Sequence, residues 1–195
     1  MTKVIQLPEP RMKGDVSVEE TLQLRRSVRQ FSDQSLTLEE ISQLLWSVQG
    51  LRQGRQRRTA PSAGGLYPLE IYAIMQEGIF HYDPTPHTLT AIQEDDLRQE
   101  LCGASLAQEF ILQAPLTIGI TAVYERIAIK YGHERGPRYV YMEVGHAAQN
   151  LALQAVALGL GSVPVGAFDD AAVKRVLGVP KDHEPLYLLP VGHPA

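Results

Sequence analysis

The sequence is poor in cysteine and tryptophan, with one of each, and it holds no long apolar run. A lone Cys102 cannot close an internal disulfide, which removes the stapled secreted scaffolds and makes a reducing cytoplasm the expected setting. Flanked by Leu101 and Gly103, it reads as a small apolar helix residue and not as a reactive thiol. No stretch approaches the roughly 20 apolar residues of a membrane span. The opening residues, 1–14, are polar with Pro8, Pro10 and two lysines; they lack the apolar centre of a signal peptide and read as an extended arm. Positive charge is not in excess. Lys and Arg number 18 against 22 Asp and Glu, a net charge of −4, which speaks against a general grip on nucleic acid. No G-x-G-x-x-G follows a strand-like run, which argues against a Rossmann site. The six histidines lack ligand spacing such as H-x-x-x-H, so no metal site is expected. No Ser/His/Asp or Cys/His set stands out.

With 44% apolar and 21% charged residues, no repeat and no low-complexity tract, residues 1–195 suit a single domain. Ser17-Val-Glu-Glu20 and Thr37-Leu-Glu-Glu40 are capping boxes. The first predicts a helix to about Val28. The second opens a helix whose Leu38, Ile41, Leu44, Leu45 and Val48 form one buried stripe. Residues 50–65 read as a loop. Leu69 to Met75, Ile79 to Tyr82 and Thr88 to Ile92 read as strands, with turns at Gly78 and Asp83-Pro-Thr-Pro86. Glu94 to Cys102 reads as a helix, Leu116 to Val123 as a central strand and Tyr124 to Tyr131 as a short helix. Arg138 to Leu160 predicts a long helix apolar around much of its circumference, buried in a core or a subunit interface. A helix from Asp170 to Leu177 and a strand from Leu186 to Val191 close the chain. Helices and strands interleave without strict βαβ alternation, so the fold class is α+β.

Three segments are hard to explain by folding alone. Arg25-Arg-Ser-Val-Arg29 offers guanidinium forks and a hydroxyl to phosphate oxygens, or equally a charged helix end that stabilises its own dipole. Pro61-Ser-Ala-Gly-Gly-Leu-Tyr-Pro68 lets backbone approach a flat ligand, or makes a tight turn before a strand. Gly159-Leu-Gly-Ser-Val-Pro-Val-Gly-Ala-Phe-Asp169 is similarly small and rigid, and also suits a helix end with its connection.

In that order and spacing, the three segments resemble the nitroreductase family over nearly the whole chain, from about Val18 to His193. The spelling of residues 61–68, with Gly145-His-Ala-Ala-Gln-Asn-Leu151, is similar to the branch of SagB-type, azoline-oxidising dehydrogenases. The resemblance implies an α+β homodimer, a mixed sheet surrounded by helices, with two FMN molecules at the subunit interface. It implies that Arg25, Arg26, Ser27 and Arg29 hold the phosphate and ribityl chain, and that His193 closes the phosphate pocket. Pro61, Ser62, Ala63, Gly64, Gly65 and Leu66 of the partner subunit would line the flavin ring. Pro164, Val165, Gly166 and Ala167 would cross it, with the Gly166 N–H aimed at N5. Tyr67 and Tyr124 would lean toward the open ring face and shape substrate choice, and the helix Arg138 to Leu160 would form the dimer core. The implied activity takes hydride from NAD(P)H and passes electrons to nitro compounds, quinones or related small-molecule acceptors in a ping-pong cycle. Alternatives are an azoline- or peptide-modifying FMN dehydrogenase, or a flavin-binding protein without turnover. None needs a side-chain nucleophile, because the chemistry belongs to the cofactor.

The sequence departs from the family pattern in four places. Gly65 stands where an asparagine commonly meets the flavin. A C-terminal tail with a further cation is not seen after Ala195, which leaves more of the phosphate charge to Arg25 and Arg29. Azoline oxidases place a Lys-Tyr pair before the long helix; the nearest counterpart read here is Arg138-Tyr139, and arginine stays protonated. Arg52, Arg55, Arg57 and Arg58 precede the Pro-Ser segment, either to greet the phosphates of a nicotinamide cofactor or as a solvated loop.

Overall fold

A computed structural model describes residues 2–52 and 57–195. Seven strands form one sheet: β1 (Val4–Gln6), β2 (Leu69–Met75), β3 (Gly78–Asp83), β4 (Thr88–Gln93), β5 (Leu116–Ala122), β6 (Gly161–Ser162) and β7 (Glu184–Gly192), in the order β1-β4-β3-β2-β5-β7-β6. All named strand pairs are antiparallel, and among the described residues parallel pairing is confined to a bridge between Ser27 and Ser162. The central position of β5 follows from its run of seven buried residues, which leaves no face for water.

Helices cover both faces. α1 (Val18–Leu24) and α2 (Leu38–Gln49) open on the two capping boxes, with Ser17 and Thr37 each accepting the N–H three residues on. α2 packs Ile41, Leu44, Leu45 and Val48 against Ile71, Ala73, Phe80 and Ile118 of the sheet, together with α5 (Tyr124–Ala157). On the opposite face α3 (Arg98–Ala104), α4 (Phe110–Gln113) and α6 (Asp170–Leu177) cover Tyr72, Ile74, Ile79 and Leu188. Cys102 is 4% exposed on α3, a core residue whose thiol is pushed up by burial.

The predicted elements shift in three informative places. α1 stops at Leu24, four residues short of the expected end, so the arginine segment is extended. The Val28 N–H donates to the Ser162 carbonyl at 3.0 Å, and a Cβ at Gly161 would stand 2.6 Å from that of Val28. Pairing with β6 thus outcompetes another turn of helix, and Gly161 is what lets the segments touch. The start of α3 is delayed because Asp96 accepts the Arg98 N–H and holds its guanidinium in a local turn. The expected short and long helices are two arms of α5, joined where Gly132 takes φ +73°. Of the long arm, Val140, Val144, Ala147, Leu151 and Ala155 face this chain's own core, whereas Tyr141, Met142, Gly145 and Gln149 are exposed. Its apolarity is therefore divided between the core and an open stripe. The expected N-terminal arm supplies β1, and the loop after α5 supplies β6.

Candidate active site

Arg25, at the end of α1, lines a cavity of about 130 Å³ with Gly145, Gln149 and Ala152 of α5, Ser162, Pro164, and Tyr187 and Leu189 of β7. The fold thus brings the first and third segments together. Among the described residues none of Arg25, Arg26 and Arg29 pairs with a carboxylate; the Arg29 guanidinium lies 5.9 Å from the centre of the Phe110 ring. Three cations without a carboxylate partner in one five-residue segment are able to attract an anion. Arg26, Ser27 and Arg29 are exposed beside Arg25.

Pro164 is exposed, while Val165 is 4% exposed and clipped to Leu188 by N–H···O bonds of 2.8 and 3.0 Å in both directions. Val165 therefore points into the core and pins the segment, leaving Pro164 and the exposed Gly166 and Ala167 on the outer side. The Ala167 carbonyl accepts from Gln108 at 2.9 Å.

The Pro61–Leu66 loop does not line that cavity. It makes a tight turn over Ala63–Gly65, with Gly64 and Gly65 at φ +65° and +68°. Ser62 Oγ accepts the Tyr67 N–H at 2.9 Å, and His146 Nδ1 lies 3.2 Å from the Pro61 carbonyl oxygen. Within one chain the loop and Arg25 thus do not share a cavity. Tyr67 is held by its own loop: the Arg58 N–H donates to its hydroxyl at 3.2 Å, and the Arg58 guanidinium sits 5.0 Å from its ring centre. Tyr124 meets Tyr141 edge to face at 6.4 Å; burial, then a hydrogen bond to Tyr141, pushes its hydroxyl up. His193 is placed beside Glu40 of α2, 3.8 Å away, and does not line the cavity with Arg25. Of the arginine-rich loop, Arg58 is half-buried and Arg52 and Arg57 are exposed; Arg55 lies outside the described residues.

Three residues at the site escaped the reading of the sequence. A methyl group at Gly64 would stand 3.1 Å from Lys130 Nζ and 3.2 Å from the Tyr131 hydroxyl. A Lys-Tyr pair therefore sits against the Pro-Ser loop just before the long arm of α5. The signal was the dipeptide itself, obscured because it closes a predicted short helix. Glu143 is 1% exposed beneath the same loop, and burial pushes its carboxyl up. Its sign in the sequence was an acid on the apolar stripe of a helix.

Comparison with known proteins agrees with this geometry. The profile described as the nitroreductase family matches residues 22–193. A protein of Methanocaldococcus jannaschii, provisionally named a nitroreductase, is 44% identical over 197 residues, covering 98% of this chain and 96% of that one. The crystal structure of a provisionally named nitroreductase from Ralstonia eutropha superposes with a TM-score of 0.88 at 31% identity, over 98% of this chain and 90% of that one. The microcin B17-processing protein of Escherichia coli is 27% identical over 139 residues, spanning 65% of this chain and half of its own length. With the family profile covering most of its length, this chain belongs to the nitroreductase family of oxidoreductases.

Proposed function

We propose that the chain is an FMN-dependent oxidoreductase, acting as a homodimer, that takes electrons from NAD(P)H and passes them to a nitro compound, a quinone or a related small acceptor. The carrying observation is Arg25, without a carboxylate partner among the described residues, lining the cavity it shares with Pro164, with the exposed Arg26 and Arg29 next to it in the same segment. The residues fit a flavin nucleotide: cations without carboxylates for its phosphate, and at Gly145 open space where a Cβ would meet nothing within 4 Å. A volume near 130 Å³ is below the several hundred of a complete small-molecule site, so a second wall is required. The Pro61–Leu66 loop of the partner subunit supplies it in this reading. Bound there, FMN would supply hydride acceptance and donation at N5. Arg25, Arg26, Ser27 and Arg29 bind and orient the phosphate. Pro164 and Gly166, braced through Val165, cover the ring and exclude water.

A second reading is favoured by Lys130 and Tyr131 beside Gly64: an azoline- or peptide-modifying dehydrogenase in which the pair handles a substrate proton. An ammonium group can hand a proton to a base where a guanidinium stays charged. The name of the microcin B17-processing relative adds weight to it.

An absorbance spectrum of the purified protein tests the cofactor, and a colourless protein that takes up no FMN sinks both readings. NAD(P)H oxidation with and without a nitroaromatic then divides them. Turnover only with a peptide-like substrate favours the second.

A further inference from the structure

Glu143 interrupts the stripe of α5 that carries Val140, Val144, Ala147 and Leu151 into the core. Its Oε1 accepts from Gln49 Nε2 at 3.3 Å, and Gln49, fully buried at the end of α2, accepts from Arg58 Nη1 at 3.3 Å. Glu143 Oε2 is buried with no hydrogen-bond partner, and Ser62 is among the groups that act on the carboxyl. One turn along α5, His146 holds the Pro61 carbonyl. The helix thus meets the Pro61-Ser62 step at two points three residues apart, the spacing that places side chains on one face. A buried carboxyl without a direct ion pair is costly, and leucine would fill the space without that cost. Packing alone does not account for it.

We infer that Glu143 is a positioning residue for the Pro61–Leu66 loop, exchanging a hydrogen bond with Ser62 and so fixing how the loop faces the flavin ring. The inference rests on the flavin-site reading above. With the acid protonated, Oε2–H donates to Ser62 Oγ; with it ionised, the Ser62 O–H donates to Oε2. The charged and titratable groups facing the carboxyl are Arg58 from the arginine-rich loop and His146 from α5 itself. Burial outweighs the opposing pull of Ser62, Gln49, Arg58 and His146. Ionisation therefore comes at a higher pH than in an exposed glutamate, and it puts poorly compensated charge beneath the loop. The loop tightens below the raised value and loosens as pH climbs through it.

Hydrogen exchange at the Tyr67 amide, which is bonded to Ser62 Oγ, reads the loop without any cofactor. Glu143→Leu should speed that exchange about tenfold at pH 6, on the scale of one net hydrogen bond, while the amides of β2 keep their rates. Glu143→Gln should match the wild type at the acid end of a pH series and lose the acceleration, beyond ordinary base catalysis, that the wild type shows as pH rises. In FMN titrations Glu143→Leu should bind about tenfold more weakly and Glu143→Gln within about threefold. Unchanged exchange and affinity in Glu143→Leu, or a wild-type pH response in Glu143→Gln, overturns the inference. If the leucine variant fails to fold, the pH response of the glutamine variant decides. A wild-type protein that binds no FMN would defeat the flavin-site reading, and the exchange data would still decide whether Glu143 holds the loop.

Discussion

His81 Nε2 stands 2.6 Å from a carboxylate oxygen of Glu70, on neighbouring strands β3 and β2. Arg126 pairs with the other oxygen and also donates to the Tyr67 carbonyl at 3.2 Å, so the contact braces the end of the Pro-Ser loop. Burial pushes the Glu70 carboxyl up, but the His81 hydrogen bond and the charge and hydrogen bond of Arg126 together outweigh it and bring it down to about 2. A value lower in the folded than in the unfolded chain gives stability that is present above the ordinary 4.5 and lost as pH falls toward about 2. Glu70→Gln should cost about 1–3 kcal/mol at pH 7. Urea unfolding at pH 7, 5 and 3 checks it, and the gap between variant and wild type should narrow at pH 3.

Phosphate binding should depend on Arg25 more than on Arg29. Arg25 lines the cavity, whereas Arg29 is exposed and stacks toward Phe110. Arg25→Ala should weaken FMN binding about 10- to 100-fold, the loss of one charge-assisted pair. Quenching of flavin fluorescence on binding measures it, and wild-type affinity would place the phosphate elsewhere.

Assembly should respond to the open stripe of α5. Met142 is 47% exposed and Tyr141 59%, while Val144, 6% exposed, faces the core. Met142→Asp should give a folded monomer that retains little flavin, whereas Val144→Asp should fail to fold, because its charge is buried in the monomer itself. Sedimentation velocity with circular dichroism separates the two outcomes. A dimeric Met142→Asp protein would move the interface off this stripe.

The Lys-Tyr pair separates the two activities. If NAD(P)H-driven reduction is the activity, Lys130→Met and Tyr131→Phe should hold nitroreduction within about tenfold, as should Tyr67→Phe, which loses one hydroxyl. For azoline oxidation, Lys130→Met should remove turnover while flavin stays bound. Stopped-flow flavin reduction by each substrate class decides.

Much of the fold was legible because its signals are local. The two capping boxes close on residues three positions away, and the mostly apolar run of β5 marks a strand buried on both faces. The end of α1 was not legible, since Val28 gives up helix to bond Ser162 far along the chain. At the site, the arginines and the two small-residue segments carry unusual composition and stood out. Glu143 did not, because its meaning depends on Gln49, Arg58 and Ser62 meeting beneath one loop. The placement of His193 beside Glu40 likewise arises from the packing of the chain end against residues 30–32, which no local pattern encodes.

The outermost strands of the sheet are its shortest, three residues in β1 and two in β6. An unpaired strand rim is a template on which stray chains polymerise, and a rim this short offers few free amides and carbonyls. On the β6 side even those are taken, because the backbone at Ser27 and Val28 bonds to Ser162. The arginine segment therefore has a second effect as a guard on the sheet border. A deletion that frees it should show itself first as fibrils or precipitate on heating, before any loss of helical content.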